Sequence, residues 1–362
     1  MSAVTAPRTL ESPVVADEGR SAGPLDGREL LVCDTTLRDG SHSVAHQFST
    51  ADVREVVAGL DAAGVPIIEV THGDGLGGSS FTYGFARQTD LELLRAARAE
   101  ISRAKLAALL LPGIGTVDDL RAAVDEAGID VVRVATHSTE ADIAIQHLGA
   151  AKRLGLETVG FLMMSHMTAP SALAKQARIM RDAGADTVYV VDSAGALLPH
   201  QVVERVEALR AELGDDAPIG MHAHDNLGCG VANALAAAQA GAVVLDGSCH
   251  GLGAGAGNAA TEVLVAALDR AGARTGIDTL GLVDVAEDVV ARICAGKLPS
   301  LDRGALLLGY AGIYSSFLLH VRRAAARYGV PEADILLELG RRRVVGGQED
   351  MIIDVALALR AP

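Results

Sequence analysis

A closed α/β barrel of eight parallel strands, each followed by a helix, is the fold that this 362-residue sequence predicts. Three observations carry that reading. Glycines recur at Gly128, Gly155, Gly184, Gly214 and Gly241, in steps of 27, 29, 30 and 27 residues. Each follows an Ala/Leu-rich amphipathic stretch and precedes a short β-branched run, the pattern of a helix cap handing over to a buried strand. Polar residues cluster just after those runs, at the strand ends where a (β/α)8 barrel builds its sites. An open doubly wound sheet would instead carry an early Gly-rich phosphate turn, and Asp39-Gly-Ser-His42 is not one.

Taken in order, the predicted strands are 31–35, 67–71 (after Gly64), 105–111, 131–135, 158–163, 187–191, 219–224 and 243–248. A Gly-rich loop, residues 72–83, widens the gap between the second and third. The repeat stops near residue 275. The remainder reads mostly as helix, at 280–295, 315–328 and around 350–359, too short for a rich core of its own and expected to pack on the barrel. The organisation is therefore a flexible tail (1–28), the barrel (29–274) and a helical C-terminal region (275–362).

Composition excludes several functions. The net charge of -15 argues against nucleic acid or an anionic membrane as partner. Cys33, Cys229, Cys249 and Cys294 are scattered with no C-x-x-C pair, so reduced thiols are expected rather than disulfides or a zinc ribbon. The N-terminal stretch lacks the apolar segment of a signal peptide, and no run is long and apolar enough to span a bilayer. A cytoplasmic protein is expected.

The strand ends present Arg38-Asp39, His72 and Asp74, His137, Ser165-His166, Asp192-Ser193, His222 with His224, and the Gly-rich run 251–257. In Met221-His-Ala-His224 the two imidazoles are two residues apart, so a strand points both to one face. Together with a carboxylate they leave positions open on a divalent ion, as a catalytic metal requires. His72, His137 and His166 each read as structural before catalytic. The 251–257 run reads equally as a phosphate cradle or as a tight turn into the last barrel helix.

Asp34-Thr-Thr-Leu-Arg-Asp-Gly-Ser-His42 with Met221-His-Ala-His224 resembles the DRE-TIM metallolyases. Further stretches narrow the resemblance: Gly73-Asp-Gly-Leu-Gly-Gly-Ser-Ser80, Phe161-Leu-Met-Met-Ser-His-Met167, Gly309-Tyr-Ala-Gly-Ile-Tyr-Ser-Ser-Phe317 and Gly346-Gly-Gln-Glu-Asp-Met351. From about residue 30 to 360 the chain is similar to the 4-hydroxy-2-oxovalerate aldolases of bacterial aromatic and steroid ring degradation. That resemblance implies Asp39, His222 and His224 as ligands of Mn2+, with Mg2+ or Co2+ as alternatives. It also implies Arg38 at the enolate oxygen, His42 as base, and Ser193 and Tyr314 (rather than Tyr310) as substrate contacts. The substrate would be a small 2-oxo acid. The partner would be an acylating acetaldehyde or propanal dehydrogenase, in a hetero-oligomer that channels the aldehyde, with the C-terminal helices as docking surface. CoA-condensing and thioester-cleaving relatives carry a Gly-Glu-Arg-type element or a cysteine in the Gly-rich loop, where this chain has Ala254-Gly-Ala-Gly257. An acyl-CoA lyase or synthase and a non-catalytic assembly subunit are the rival readings.

Overall fold

Eight short apolar runs, buried on both faces, hydrogen-bond side by side in chain order and close on themselves. This is the architecture of a computed structural model that describes residues 23–360. The strands are β1 (Leu31–Leu37), β2 (Ile67–Val70), β3 (Lys105–Leu110), β4 (Val131–His137), β5 (Glu157–Met163), β6 (Thr187–Asp192), β7 (Ile219–Ala223) and β8 (Val244–Gly247). All neighbours pair in parallel, and β1 pairs with β8 to seal the barrel.

Helices α1 (Thr50–Ala63), α2 (Asp90–Arg98), α3 (Val117–Ala127), α4 (Ile145–Arg153), α5 (Pro170–Asp182), α6 (Pro199–Leu213), α7 (Gly230–Ala240) and α8 (Thr261–Arg270) form the outer ring. Ser49, Thr89 and Thr116 start α1, α2 and α3 with reciprocal capping boxes. All five repeat glycines have positive φ, from +64° at Gly128 to +119° at Gly241. Their spacing thus marks helix exits that only glycine makes at little cost.

Alternate strand residues fill the barrel. Cys33, Ile67, Ala107, Leu109, Val159, Phe161 and Tyr189 form an inner apolar cluster, separate from the larger one between strands and helices. The residues of α9 (Thr279–Asp284), the π-helical turn Val285–Val290 and α10 (Ala291–Ile293) add Leu282, Val285 and Val290 to that outer cluster. The barrel core therefore runs on to Cys294, beyond the break at residue 275 that the sequence repeat suggests.

Four more helices follow among the described residues: α11 (Arg303–Ala311), α12 (Phe317–Tyr328), α13 (Glu332–Arg342) and α14 (Asp350–Arg360). Contrary to expectation they do have a core of their own, with Leu308, Phe317, Val321, Leu336, Leu339 and Val355 buried among themselves. They also dock on the rim as expected. Ser315 N–H and Oγ donate to the Ser193 carbonyl at 3.1 and 2.7 Å, and Arg343 Nη2 donates to the Met167 carbonyl at 2.8 Å. Of the proposed tail, residues 1–22 lie outside the described residues. Residues 23–28 pack on the barrel, with Leu25 fully buried and Gly27 N–H bonded to the Gly272 carbonyl. Among the described residues no helix is long and apolar enough to cross a membrane.

Two rim histidines reach this C-terminal unit: His137 Nε2 lies 3.0 Å from the Gly346 carbonyl and His166 Nε2 lies 3.1 Å from that of Gly312. Burial is the main cause that lowers the His166 pKa to about 4, although the bond to Gly312 opposes it. As pH falls below about 6.5 an unfolded chain takes up a proton that the docked ring refuses until about 4, so docking is strongest above 6.5 and weakens across that window. Hydrogen exchange in α11 and α12, corrected for its intrinsic pH dependence, is expected to speed up between pH 7 and 5. Unchanged protection would rule out His166 as a docking group.

Candidate metal centre and active site

Asp39 sits in the 3-10 turn Asp39–His42 that follows β1, His222 lies near the end of β7 and His224 directly follows it. All three are buried, and their ligand atoms lie within 4.8 Å of one another. Asp39 Oδ2 is 3.9 Å from His222 Nε2 and 3.7 Å from His224 Nε2. The remaining ring nitrogens are already engaged. His222 Nδ1 is 2.8 Å from Asp246 Oδ2, and His224 Nδ1 is 3.4 Å from the Ala254 carbonyl. With Nδ1 carrying the proton, each Nε2 presents a lone pair toward Asp39.

The electrostatics fit a cation. Burial alone would raise the Asp39 pKa, yet Arg38 and the imidazoles of His224, His222 and His42 hold the carboxyl well below its usual range. Burial lowers His224 to about 4. An ionised Asp39 and a neutral His224 thus converge with His222 Nε2, a donor set that a divalent ion can use.

Arg38 is buried and bonded on two sides, Nε to Glu69 Oε2 and Nη1 to Asp39 Oδ1, both at 2.8 Å. Burial disfavours its charge, but Glu69 and Asp39 outweigh that and raise its pKa. Its Nη2 has no partner among the described residues, which leaves a fixed donor for a ligand oxygen. His42 Nε2 stands 3.9 Å from Asp39 Oδ1, beyond hydrogen-bond range. A Cβ on Gly73 would come within 2.5 Å of that nitrogen, so the motif needs glycine there to let the ring face the cavity. Behind it, His46 packs edge-on to His42 and stacks on His72, with centroids 4.9 and 3.7 Å apart. Burial lowers the pKa of both, that of His72 to about 4.

The cavity above these groups is lined by Arg38, Asp39, His42, Asp74, Ser193 and Tyr314, among others. Ser193 Oγ accepts the Met164 N–H at 3.1 Å, so its own proton is available to a ligand. Tyr314 closes one side, and burial raises its pKa far enough to keep the phenol protonated. Tyr310 is 73% exposed and points away. Beyond Tyr314 a second cavity of about 280 Å3 is lined by Leu111, Gly346, Gly347 and Glu349. The structure thus gathers Arg38, Asp39, His42, Asp74, Ser193, His222, His224 and Tyr314 around one cavity. His72, His137 and His166 bond to backbone carbonyls around it.

Four residues escaped sequence reasoning. Asn258 Nδ2 donates to Asp39 Oδ2 at 2.6 Å, so the Gly-rich run positions a carboxylate rather than forming an open phosphate cradle. Gly257, at φ +90°, brings it there; a Cβ would overlap the Gly251 carbonyl at 1.8 Å. Glu69, Arg133 and Asp246 lie inside the barrel. Their signal was a single charged residue in each of the buried runs Ile67–Val70, Val131–His137 and Val244–Gly247, a placement that charges adopt only when paired.

Comparison with known proteins agrees with this geometry. The HMGL-like family profile matches residues 29–289, and that of the DmpG-like communication domain matches 299–361. The chain is 58% identical over 331 residues to a Rhodococcus jostii (strain RHA1) protein named 4-hydroxy-2-oxovalerate aldolase 4, covering 91% of this chain and 94% of that one. It is 56% identical over 332 residues to a 4-hydroxy-2-oxohexanoate aldolase of Mycobacterium tuberculosis (strain H37Rv), covering 92% and 95%. Solved structures share the fold. The N-terminal domain of a putative aldolase from Bacteroides vulgatus superposes with TM-score 0.67 at 24% identity, over 80% of this chain and 95% of that one. The carboxyl transferase domain of Rhizobium etli pyruvate carboxylase with 3-hydroxypyruvate gives 0.78 at 19%, over 93% and 62%.

Proposed function

The chain belongs to the 4-hydroxy-2-oxovalerate and 4-hydroxy-2-oxohexanoate aldolases, and from that membership we propose how its rim residues cleave a carbon–carbon bond. The protein is a carbon–carbon lyase. Its substrate is a 4-hydroxy-2-oxo acid, and the products are pyruvate and acetaldehyde or propanal. The observation that carries this reading is the buried Arg38, with an unpartnered Nη2, beside the converging Asp39, His222 and His224.

Asp39, His222 and His224 hold a divalent ion. One carboxylate, two imidazoles and an oxygen-rich substrate suit Mn2+, with Mg2+ or Co2+ as alternatives. When bound, the ion supplies positive charge that polarises the 2-oxo group.

The protein's own residues do the rest. Arg38 holds the C2 oxygen, and Ser193 and Tyr314 orient the acid. His42 takes the proton of the C4 hydroxyl, and C4–O becomes the aldehyde carbonyl. The C3–C4 electron pair moves into a C2–C3 double bond, leaving the enolate oxygen at Arg38. Protonation at C3 then gives pyruvate. Arg38 faces charge that grows along this path, so it stabilises the transition state more than the ground state.

The communication-domain match supports docking of an acylating aldehyde dehydrogenase on the C-terminal helices. The cavity beyond Tyr314, lined in part by that region, supports passage of the aldehyde toward it.

Chelator-stripped protein given 4-hydroxy-2-oxopentanoate without CoA is expected to release pyruvate only after Mn2+ is added. No pyruvate with or without metal would overturn the proposal.

A further inference from the structure

The barrel interior holds a charged chain that joins the two halves of the site. Arg133 lies on β4 with its guanidinium 4.5 Å from the Phe161 ring centroid and 4.7 Å from that of Tyr189. It is 1% exposed, among the largest fully buried side chains. Its Nη1 donates to Glu69 Oε2 at 3.0 Å, and that same oxygen accepts Arg38 Nε. Its Nη2 donates to Asp246 Oδ2, which in turn holds His222 Nδ1. The path runs unbroken from Arg38 through Glu69, Arg133 and Asp246 to His222.

From this we propose that Arg133 is a positioning residue that couples the enolate-binding arginine to the metal-binding histidine. The inference rests on the metal-assisted reading above.

Two physical arguments support it. First, a planar fork can hold two carboxylates in fixed directions at once, which a lysine ammonium cannot do. The two neighbouring aromatic rings beside it, with centroids 5.5 Å apart, help keep that fork from turning. Second, the charges joined by these ion pairs are complementary to a cation and then an anion. Arg38 and Arg133 face Asp39, Glu69 and Asp246, which leaves one negative charge in a dry interior. A divalent ion reverses that excess, and a substrate carboxylate then neutralises it. Arg133 also aims Asp246: the Oδ2 that its Nη2 reaches is the oxygen that lies 2.8 Å from His222 Nδ1. A carboxylate placed there fixes the proton on His222 Nδ1 and leaves Nε2 free toward Asp39, as carboxylates behind metal-binding histidines do.

The coupling predicts a pattern that a merely structural residue would not give. Mn2+ binding is measured by the EPR signal of the free ion, and binding of oxalate, a planar mimic of the pyruvate enolate, at saturating Mn2+. Asp246→Asn is expected to weaken Mn2+ about 10–100-fold. Glu69→Gln is expected to weaken oxalate, with Mn2+ affinity kept within about threefold. Arg133→Met is expected to weaken both. In double-variant cycles Arg133→Met should be non-additive with Asp246→Asn for Mn2+, and with Glu69→Gln for oxalate.

If Arg133→Met does not fold, the split between Asp246→Asn and Glu69→Gln, together with Arg133→Lys weakening both ligands, carries the same test. Mn2+ and oxalate affinities unmoved by Arg133 substitution, or additive cycles, would overturn the coupling while leaving the metal centre intact. A wild-type chain with no saturable Mn2+ site, or one that Asp39→Asn leaves unchanged, would overturn the metal centre itself and the coupling with it.

Discussion

Replacing Arg38 with alanine is expected to lower kcat by ~10^2–10^3-fold, about 2.7–4 kcal/mol of transition-state stabilisation, the usual effect of losing one oxyanion donor. The magnitude reflects position. Arg38 is 4% exposed, so its donor acts in a water-poor cavity where a hydrogen bond to developing charge is worth more than at a surface. Arg38→Lys is expected to fail nearly as badly. Two directions of the guanidinium are committed, Nε to Glu69 and Nη1 to Asp39, and the buried Nη2 is left without a partner among the described residues. A single ammonium cannot span them. The check is steady-state kinetics at saturating Mn2+. The loss should fall in kcat as well as kcat/KM, because the interaction strengthens only as the enolate forms. A normal kcat with raised KM would show that Arg38 merely binds the carboxylate.

The barrel was legible because its punctuation is local. A glycine after an amphipathic stretch states where a helix ends whatever the rest of the chain does, and the positive φ at Gly128 and Gly241 is the physical content of that signal. The paired imidazoles of His222 and His224 were legible for the same reason, since the His-x-His alternation is a property of one strand. What stayed hidden depends on contacts distant in sequence. Glu69, Arg133 and Asp246 each look like a lone charge in an apolar run. Only barrel closure brings them within bonding distance. Asn258 reaches Asp39 only after the Gly-rich turn doubles back.

In the C-terminal region α11 was missed because Gly304 and Gly309 dilute its helical pattern. α13 was missed as well, although its ends are written more openly. Pro331 precedes Glu332 and Asp334 in the first turn, and Arg341 and Arg342 stand in the last. The core shared by these helices is a product of their mutual packing and had no counterpart in any single segment.

His42→Ala is expected to cost ~10^2–10^4-fold in kcat/KM and to remove the acid limb of the pH–rate profile. The assignment rests on which imidazoles are free to accept a proton. The Nδ1 atoms of His222 and His224 face Asp246 and the Ala254 carbonyl. His46 Nδ1 faces Ser41 Oγ at 3.0 Å. His72 accepts the Asp74 N–H at Nδ1 and faces the Gly84 carbonyl through Nε2. His42 Nε2 is held by none of these partners, and its ring lines the cavity with Arg38 and Asp39. The rival base is Asp74, which lines the same cavity and whose pKa burial raises. Profiles of His42→Ala and Asp74→Asn measured side by side decide between them. An acid limb that survives in the first variant and vanishes in the second would move the proton-accepting role to Asp74. Loss in His42→Ala alone fixes it on His42, and the neighbouring His46 and His72, with pKa values lowered by burial, then serve as a neutral wall that keeps that ring in place.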